Sequence, residues 1–154
     1  MSDPRRVLIV EARFYEDIAD ALAVGATEPL DVAGVTYDRV SVPGVFEIPA
    51  AIHIAIKAME MHSSPADYAG FIALGCVIRG ETDHYEFICR EASRALMEIS
   101  VDYAVAFGFG VITCENGDQA WARAKSDEIN VGGSAANACL RMMEIKKDFR
   151  LTQR

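Results

Sequence analysis

The apolar residues of the chain follow two alternating patterns, short continuous runs and longer segments in which they recur every three or four positions. Continuous runs are typical of strands that are covered on both faces, and the wider spacing is typical of one face of a helix. These patterns predict four strands, over residues 7–10, 36–42, 71–78 and 105–113. They predict five helices, near residues 15–25, 50–61, 83–99, 117–125 and 133–147.

Strands and helices alternate along most of the chain, and two helices close it. A helix that connects two parallel strands forms a right-handed crossover, so this alternation implies one parallel sheet with helices on both faces. We therefore expect an α/β fold, a three-layer αβα sandwich around a four-stranded parallel sheet. The length of 154 residues suits a single domain over 1–154, and a composition that is 51% apolar is ample for its core.

The chain is acidic, with 15 Lys and Arg against 23 Asp and Glu and a net charge of −8. This charge argues against general binding to nucleic acid or to a membrane surface. It does not exclude a small anionic substrate, because a few local cations and backbone dipoles can dominate inside a cleft. The first apolar run is too short for a signal peptide or a membrane span, so we expect a soluble, cytoplasmic protein.

Neither the cysteines nor the histidines are spaced as metal ligands. No Cys-x-x-Cys pair occurs, and the three histidines are not placed to complete a zinc site. We therefore expect free thiols in a reducing compartment and no metal. The cysteines are Cys76, Cys89, Cys114 and Cys139.

Polar and aromatic residues that the fold alone does not require concentrate at the four predicted strand ends. These segments are 11–14, 42–47, 75–84 and 113–116. In a parallel α/β sheet the ligand site lies at the carboxyl ends of the strands. The sequence therefore predicts a binding site at this edge.

The end of the third strand, with the sequence Leu-Gly-Cys-Val-Ile-Arg-Gly-Glu-Thr-Asp-His over 74–84, carries the most chemistry. Asp83 and Glu86 resemble a capping pair at the start of the next helix. The turn and this helix start present free backbone N–H groups and the positive end of the helix dipole, which suit an anion. Arg79 can add charge, and His84 can transfer protons near neutral pH. An ordinary capped helix start with an exposed histidine is the alternative interpretation.

A second group of candidates consists of Phe14, Phe46, Glu47 and Arg123. Two aromatic rings at strand ends can enclose a planar heterocycle, a carboxylate can accept its N–H groups, and an arginine can bind a phosphate. Each residue also has a commoner role, because such phenylalanines are usually core residues and such arginines usually lie at the surface.

Taken together, these segments resemble the 6,7-dimethyl-8-ribityllumazine synthase family, whose members catalyse the penultimate step of riboflavin biosynthesis. The resemblance runs from Val7 to about Met143 and includes the spacing to Arg123. It rests on Ala-Arg-Phe (12–14), Val-Pro-Gly-Val-Phe-Glu-Ile-Pro (42–49), the 74–84 segment and Gly-Val-Ile-Thr-Cys-Glu-Asn (110–116).

The resemblance implies a flavodoxin-like fold and an enzyme that condenses 5-amino-6-(D-ribitylamino)uracil with 3,4-dihydroxy-2-butanone 4-phosphate, without a cofactor or a metal. It implies that His84 transfers protons and that Glu81 and Thr82 hold the phosphate. The remaining substrate contacts would come from Phe14, Val45, Phe46, Glu47, Cys76, Val77, Ile78, Phe109 and Arg123. It also implies a homopentamer in which Phe109 and Arg123 come from the neighbouring subunit.

Two residues depart from the family pattern. Val131 stands where many members have a lysine, and Tyr15 stands where they have an asparagine. The loss of one exposed cation is expected to weaken phosphate binding by about 1 kcal/mol. A catalytically weak homologue that binds lumazine or flavin, as a carrier or an assembly protein, is therefore the alternative function.

Overall fold

The computed structural model of the protein describes residues 5–151, and in this part of the chain four strands form one sheet. They are β1 (Arg6–Ala12), β2 (Thr36–Val42), β3 (Gly70–Ile78) and β4 (Ala106–Cys114). The strand order is β2-β1-β3-β4, and every neighbouring pair is parallel. The predicted four-stranded parallel sheet is confirmed, and all four carboxyl ends lie along one edge.

Two layers of helix cover the sheet, which confirms the predicted αβα sandwich. The helices are α1 (Glu16–Ala33), α2 (Ile48–Glu60), α3 (His84–Asp102), α4 (Gly117–Ala124) and α5 (Val131–Asp148). One face of the sheet packs against α1, α4 and α5, and the other packs against α2 and α3. Successive strand residues alternate between the two cores, because side chains on a strand point to opposite faces. Thus Ile72 enters the first core and Ala73 the second.

The first helix is longer than predicted, because Gly25 does not end it. A methyl group at Gly25 would lie 2.3 Å from the Asn130 Oδ1 atom at the start of α5, so this glycine permits close packing of two helices. The helix ends at Gly34, which has a φ of 71° in the left-handed region. Glycine adopts this conformation at little cost, and its N–H bonds the Asp31 carbonyl oxygen.

Two further observations bear on the sequence-based expectations. No helix within residues 5–151 is long and apolar enough to cross a bilayer. All four cysteines are free thiols, and no cluster of potential metal ligands occurs in this described range.

The close approach of α5 to β4 depends on Gly108. A methyl group at this position would lie 2.0 Å from the carbonyl oxygen of Ala135, which belongs to the backbone of α5 and cannot turn away. The absence of a side chain therefore lets helix and strand backbones meet, and this contact fixes the distance between the sheet and the helix that closes the chain.

Gly108→Ala is expected to lower the free energy of unfolding by about 1–3 kcal/mol or more, because α5 must shift to admit the methyl group. Gly117→Ala is the matched control, since a methyl group at Gly117 meets nothing within 4 Å. We expect that variant to stay within about 0.5 kcal/mol of the parent. Urea unfolding followed by circular dichroism measures both, and equal midpoints would contradict the argument.

Candidate functional site at the carboxyl edge of the sheet

The chain just after the carboxyl end of β1, here called the exit of β1, is held by continued pairing with β2. The Arg13 N–H donates a hydrogen bond to the Val42 carbonyl oxygen at 3.3 Å, one residue beyond the end of the strand. Phe14 follows with 73% of its surface exposed, and α1 begins two residues later. The position predicted to bind a planar ring therefore presents an open aromatic side chain at the carboxyl edge.

A buried carboxylate organises this exit. Glu11 is 3% exposed and accepts two hydrogen bonds from Arg39, at 2.6 and 2.9 Å, and a third from Arg13 at 3.0 Å. Arg13 also donates to Asp20 on α1 at 2.5 Å. The hydrogen bond to Glu11 raises the pKa of Arg39, and the bond to Asp20 is the main reason that the pKa of Arg13 is raised. The network ties β1, β2 and α1 together beside Phe14.

The segment after β2 forms a feature that the sequence analysis did not predict. Residues Val45–Glu47 make one turn of 3-10 helix that leads directly into α2. Val45 is buried, and a methyl group at Gly75 would lie 2.7 Å from its Cγ2 atom, so the turn packs tightly onto the end of β3. Phe46 points outward with 58% exposure. The only signal in the sequence was Pro43-Gly44, which ends the strand but does not specify the turn.

The last residues of β3 alternate between the two cores. Cys76 and Val77 are buried on opposite faces, and Ile78 is half-buried. Burial, with a smaller contribution from the neighbouring Cys114, raises the pKa of the Cys76 thiol. The thiol is therefore neutral at physiological pH, and this segment offers backbone groups and apolar surface to a ligand rather than a thiolate nucleophile.

Arg79 is already paired, which changes the expectation that it adds charge to an anion site. Its guanidinium bonds Glu115 at 2.9 Å, lies 3.7 Å from Glu86 and stacks 4.4 Å from the centre of the Tyr85 ring. Its backbone N–H donates to the Cys114 carbonyl oxygen at 2.9 Å. Arg79 therefore links the exits of β3 and β4, and two carboxylates offset its charge.

The predicted capping pair at the start of α3 is wrong. The Asp83 side chain accepts no capping hydrogen bond, and the Glu86 N–H donates to the backbone oxygen of Asp83 at 3.1 Å. The backbone N–H groups of residues 80–83 have no acceptor within residues 5–151. Glu81, Thr82 and His84 are exposed beside them. This turn thus keeps four consecutive donors available, as an anion site requires.

One predicted site residue, Phe109, does not lie in this group on the same chain. Phe109 pairs in register with Ala73, five residues before the end of β4, and is 44% exposed on the edge strand. Arg123 lies on α4 and donates to the Gln119 carbonyl oxygen at 3.1 Å, one helical turn earlier. One chain brings together residues at the ends of β1, β2 and β3, whereas Phe109 lies away from that edge.

The network around Glu11 was not predicted from the sequence. A signal was present, because a charged residue directly follows the apolar run 7–10 within the buried first strand. Charged residues are rarely buried unless they are paired. Its partner Arg39 lies 28 positions away and is identified only by the β1–β2 register.

Arg39→Met is expected to lower the free energy of unfolding by about 1–3 kcal/mol, because it leaves the buried Glu11 carboxylate with Arg13 as its remaining charged partner. Arg94→Met is the control, since within residues 5–151 Arg94 forms ion pairs only with Glu91 and Glu98, at the solvent-accessible surface of α3. Exposed pairs of this kind contribute about 0.5 kcal/mol or less. Denaturant unfolding of both variants tests the difference, and similar losses would refute it.

Comparison with known proteins gives a consistent result over almost the whole chain. The family model for 6,7-dimethyl-8-ribityllumazine synthase matches residues 4–147. A protein of that name from Afipia carboxidovorans is 54% identical over 142 residues, which cover 92% of this chain and 86% of that protein. Its counterpart from Nitrobacter hamburgensis is 55% identical with the same coverage. A protein named 6,7-dimethyl-8-ribityllumazine synthase 1 from Rhizobium meliloti is 52% identical, covering 94% of this chain and 93% of its own length.

Proposed function

We infer that this chain, which belongs to the 6,7-dimethyl-8-ribityllumazine synthase family, is a transferase of riboflavin biosynthesis. It condenses 5-amino-6-(D-ribitylamino)uracil with 3,4-dihydroxy-2-butanone 4-phosphate and releases phosphate and water. The observation that carries this conclusion is the family match over residues 4–147, together with identity above 50% to relatives of that name. Neither the family match nor the relatives favour the alternative of a catalytically weak homologue that binds lumazine or flavin.

We propose that Phe14 and Phe46 flank the pyrimidine ring, with Glu47 accepting its N–H groups. The exposure of both rings, at 73% and 58%, supports this role, because core residues at these positions would be covered. A methyl group at Gly44 would lie 3.2 Å from the Glu47 Oε2 atom, so the carboxylate folds back over the turn. Further ring and ribityl contacts are assigned to Val45, Cys76, Val77 and Ile78.

The phosphate of the second substrate is proposed to bind the turn that contains Glu81 and Thr82. The support is the set of free N–H donors over residues 80–83 at the N-terminus of α3. Arg79 would add little charge to this site, because Glu115 and Glu86 already offset its charge. Binding would therefore depend on oriented amides more than on a side-chain cation of the same loop.

His84 is proposed to transfer protons during the condensation. The substrate amine attacks the ketone and loses water to form an imine, phosphate leaves to give an enol, and after the enol has become a ketone the ribitylamino nitrogen closes the ring with loss of a second water. The amine is already a nucleophile and needs no activation by the protein. Holding the two substrates together can lower the activation free energy by about 7–11 kcal/mol at best. Proton transfer by one histidine adds about 10²–10⁴-fold. The exposure of His84 beside the phosphate turn supports this assignment.

We further propose a single domain over residues 1–154, whose ends lie outside the described residues, in a cytoplasmic homopentamer. In this assembly Phe109 and Arg123 would complete the site of the neighbouring subunit. The exposure of Phe109 on an edge strand supports a partner at this face, and so do the open apolar side chains of α2 and α3. Those side chains are Ile54, Phe87, Met97 and Val101.

The activity is tested by mixing the purified protein with both substrates and recording lumazine fluorescence. Product must form faster than in the spontaneous reaction, at a rate proportional to enzyme concentration. A rate equal to the spontaneous one, with tight product binding retained, would overturn the synthase assignment.

His84→Ala is expected to lower kcat by about tenfold or more, since proton transfer by a positioned group is lost. Product binding, measured by fluorescence titration, should persist. His62→Ala is the control, because His62 is an exposed histidine in the segment 61–69, which leads into the start of β3 and so lies at the opposite edge of the sheet. Unchanged turnover in His84→Ala would remove this residue from the mechanism.

A shared site predicts complementation between two impaired variants. Equal amounts of the Arg123→Glu and His84→Ala proteins are unfolded together and refolded as a mixture. The mixture is assayed at a low concentration of the phosphate substrate. Random mixing around a ring with head-to-tail contacts should restore about one quarter of the sites. The control mixture, Phe46→Ala with His84→Ala, changes the same half of the site and should restore none. Absence of recovery in the first mixture would contradict the shared site, and sedimentation velocity of the parent reports the pentamer directly.

A further inference from the structure

Tyr15 connects the protein core to the most exposed ring of the candidate site. The ring centres of Phe14 and Tyr15 lie 5.0 Å apart with an angle of 80° between the planes, an edge-to-face contact. Phe14 is otherwise open to solvent over 73% of its surface. Within residues 5–151 Phe14 has this one aromatic contact and Phe46 has none. Of the two rings that are proposed to flank the substrate, Phe14 alone therefore packs against a neighbouring ring.

Tyr15 is itself held firmly. It is half-buried and packs against the first core, which contains Cys76 and Cys114. Its carbonyl oxygen accepts the hydrogen bond of the Ala19 N–H at 2.9 Å, which closes the first turn of α1. Burial raises the pKa of the Tyr15 hydroxyl, and the two thiols raise it further. Packing against the first core therefore restricts the motion of the Tyr15 ring.

The residue before this pair is also fixed. Arg13 bonds Glu11 at 3.0 Å on β1 and Asp20 at 2.5 Å on α1. The backbone that carries Phe14 is therefore held on both sides, by the charge network at residue 13 and by the core contact at residue 15. These contacts hold the backbone and leave the side-chain torsions of Phe14 free. The edge-to-face contact with Tyr15 restricts those torsions.

A restricted ring binds a planar ligand better than a freely rotating one, because less rotamer entropy is lost on binding. Edge-to-face pairs also favour one mutual orientation through their quadrupoles. The Tyr15 hydroxyl has no hydrogen-bond partner within residues 5–151, so the contribution of Tyr15 to Phe14 comes from its ring.

We propose that Tyr15 is a positioning residue that orients the Phe14 ring to receive the planar pyrimidine of the substrate. The proposal rests on the assignment of Phe14 to the pyrimidine in the proposed function. Tyr15 acts through Phe14 and needs no contact with the phosphate-bearing substrate. Its effect is therefore specific to one of the two substrates.

The test compares Tyr15→Phe with Tyr15→Leu in the full-length protein. Tyr15→Leu should raise the KM for the pyrimidine substrate by about two- to tenfold, as the loss of an edge-to-face pair predicts. Its kcat and its KM for the butanone phosphate should remain those of the parent. Tyr15→Phe keeps the ring and should match the parent in all three constants. An unchanged pyrimidine KM in Tyr15→Leu, or equal impairment of both variants, would overturn the proposal.

Two controls separate positioning from general loss of stability. Tyr37 also packs against the first core, at the start of β2 and away from the site, so Tyr37→Leu should lower the melting temperature without changing the pyrimidine KM. In a Phe14→Leu background, Tyr15→Leu should add no further increase in this KM, because the ring that it orients is gone. A further increase there would overturn the proposal. Failure of this proposal differs from failure of the proposed function. If the proposed function were wrong, the parent protein itself would form no lumazine above the spontaneous rate.

Discussion

Parallel pairing of four strands is the constraint on which this structure depends. Because every neighbouring pair is parallel, all four strand exits lie along one edge of the sheet. Residues that are 30 or more positions apart, such as Phe14 and Phe46, are brought to the same edge. The opposite ends of the strands carry none of the residues assigned to the reaction. The proposed site for two substrates thus requires no long loop.

The exits are held in place by three kinds of contact. Glu11 joins β1 to β2 and α1 through two arginines, Val45 packs against the glycine at position 75, and Arg79 joins the exits of β3 and β4. Each contact leaves the proposed ligand groups free. The rings of Phe14 and Phe46, the amides of residues 80–83 and the imidazole of His84 remain accessible on a fixed frame. Such a division suits a reaction in which orientation of two substrates supplies much of the acceleration.

Much of this was predictable from the sequence. The four strands, the five helices, the parallel sheet and the edge that holds the candidate site follow from apolar periodicity and from strand-helix alternation. The errors have particular causes. Gly25 resembles a helix end but permits a helix–helix contact, and Asp83 resembles a cap but leaves the turn uncapped. An aspartate before a helical pattern commonly caps the helix, so the sequence predicts a cap at Asp83 that the structure does not form.

The sequence by itself determined the order of the elements, the edge at which the candidate site lies and the family to which the chain is similar. Only the tertiary structure decided which charges are already paired, which rings are open and which predicted residue lies apart. Arg79 and Phe109 illustrate this, the first paired to Glu115 and Glu86 and the second exposed on an edge strand. The physical reason is that periodicity is local, whereas charge pairing and exposure depend on the register between strands that are distant in the chain.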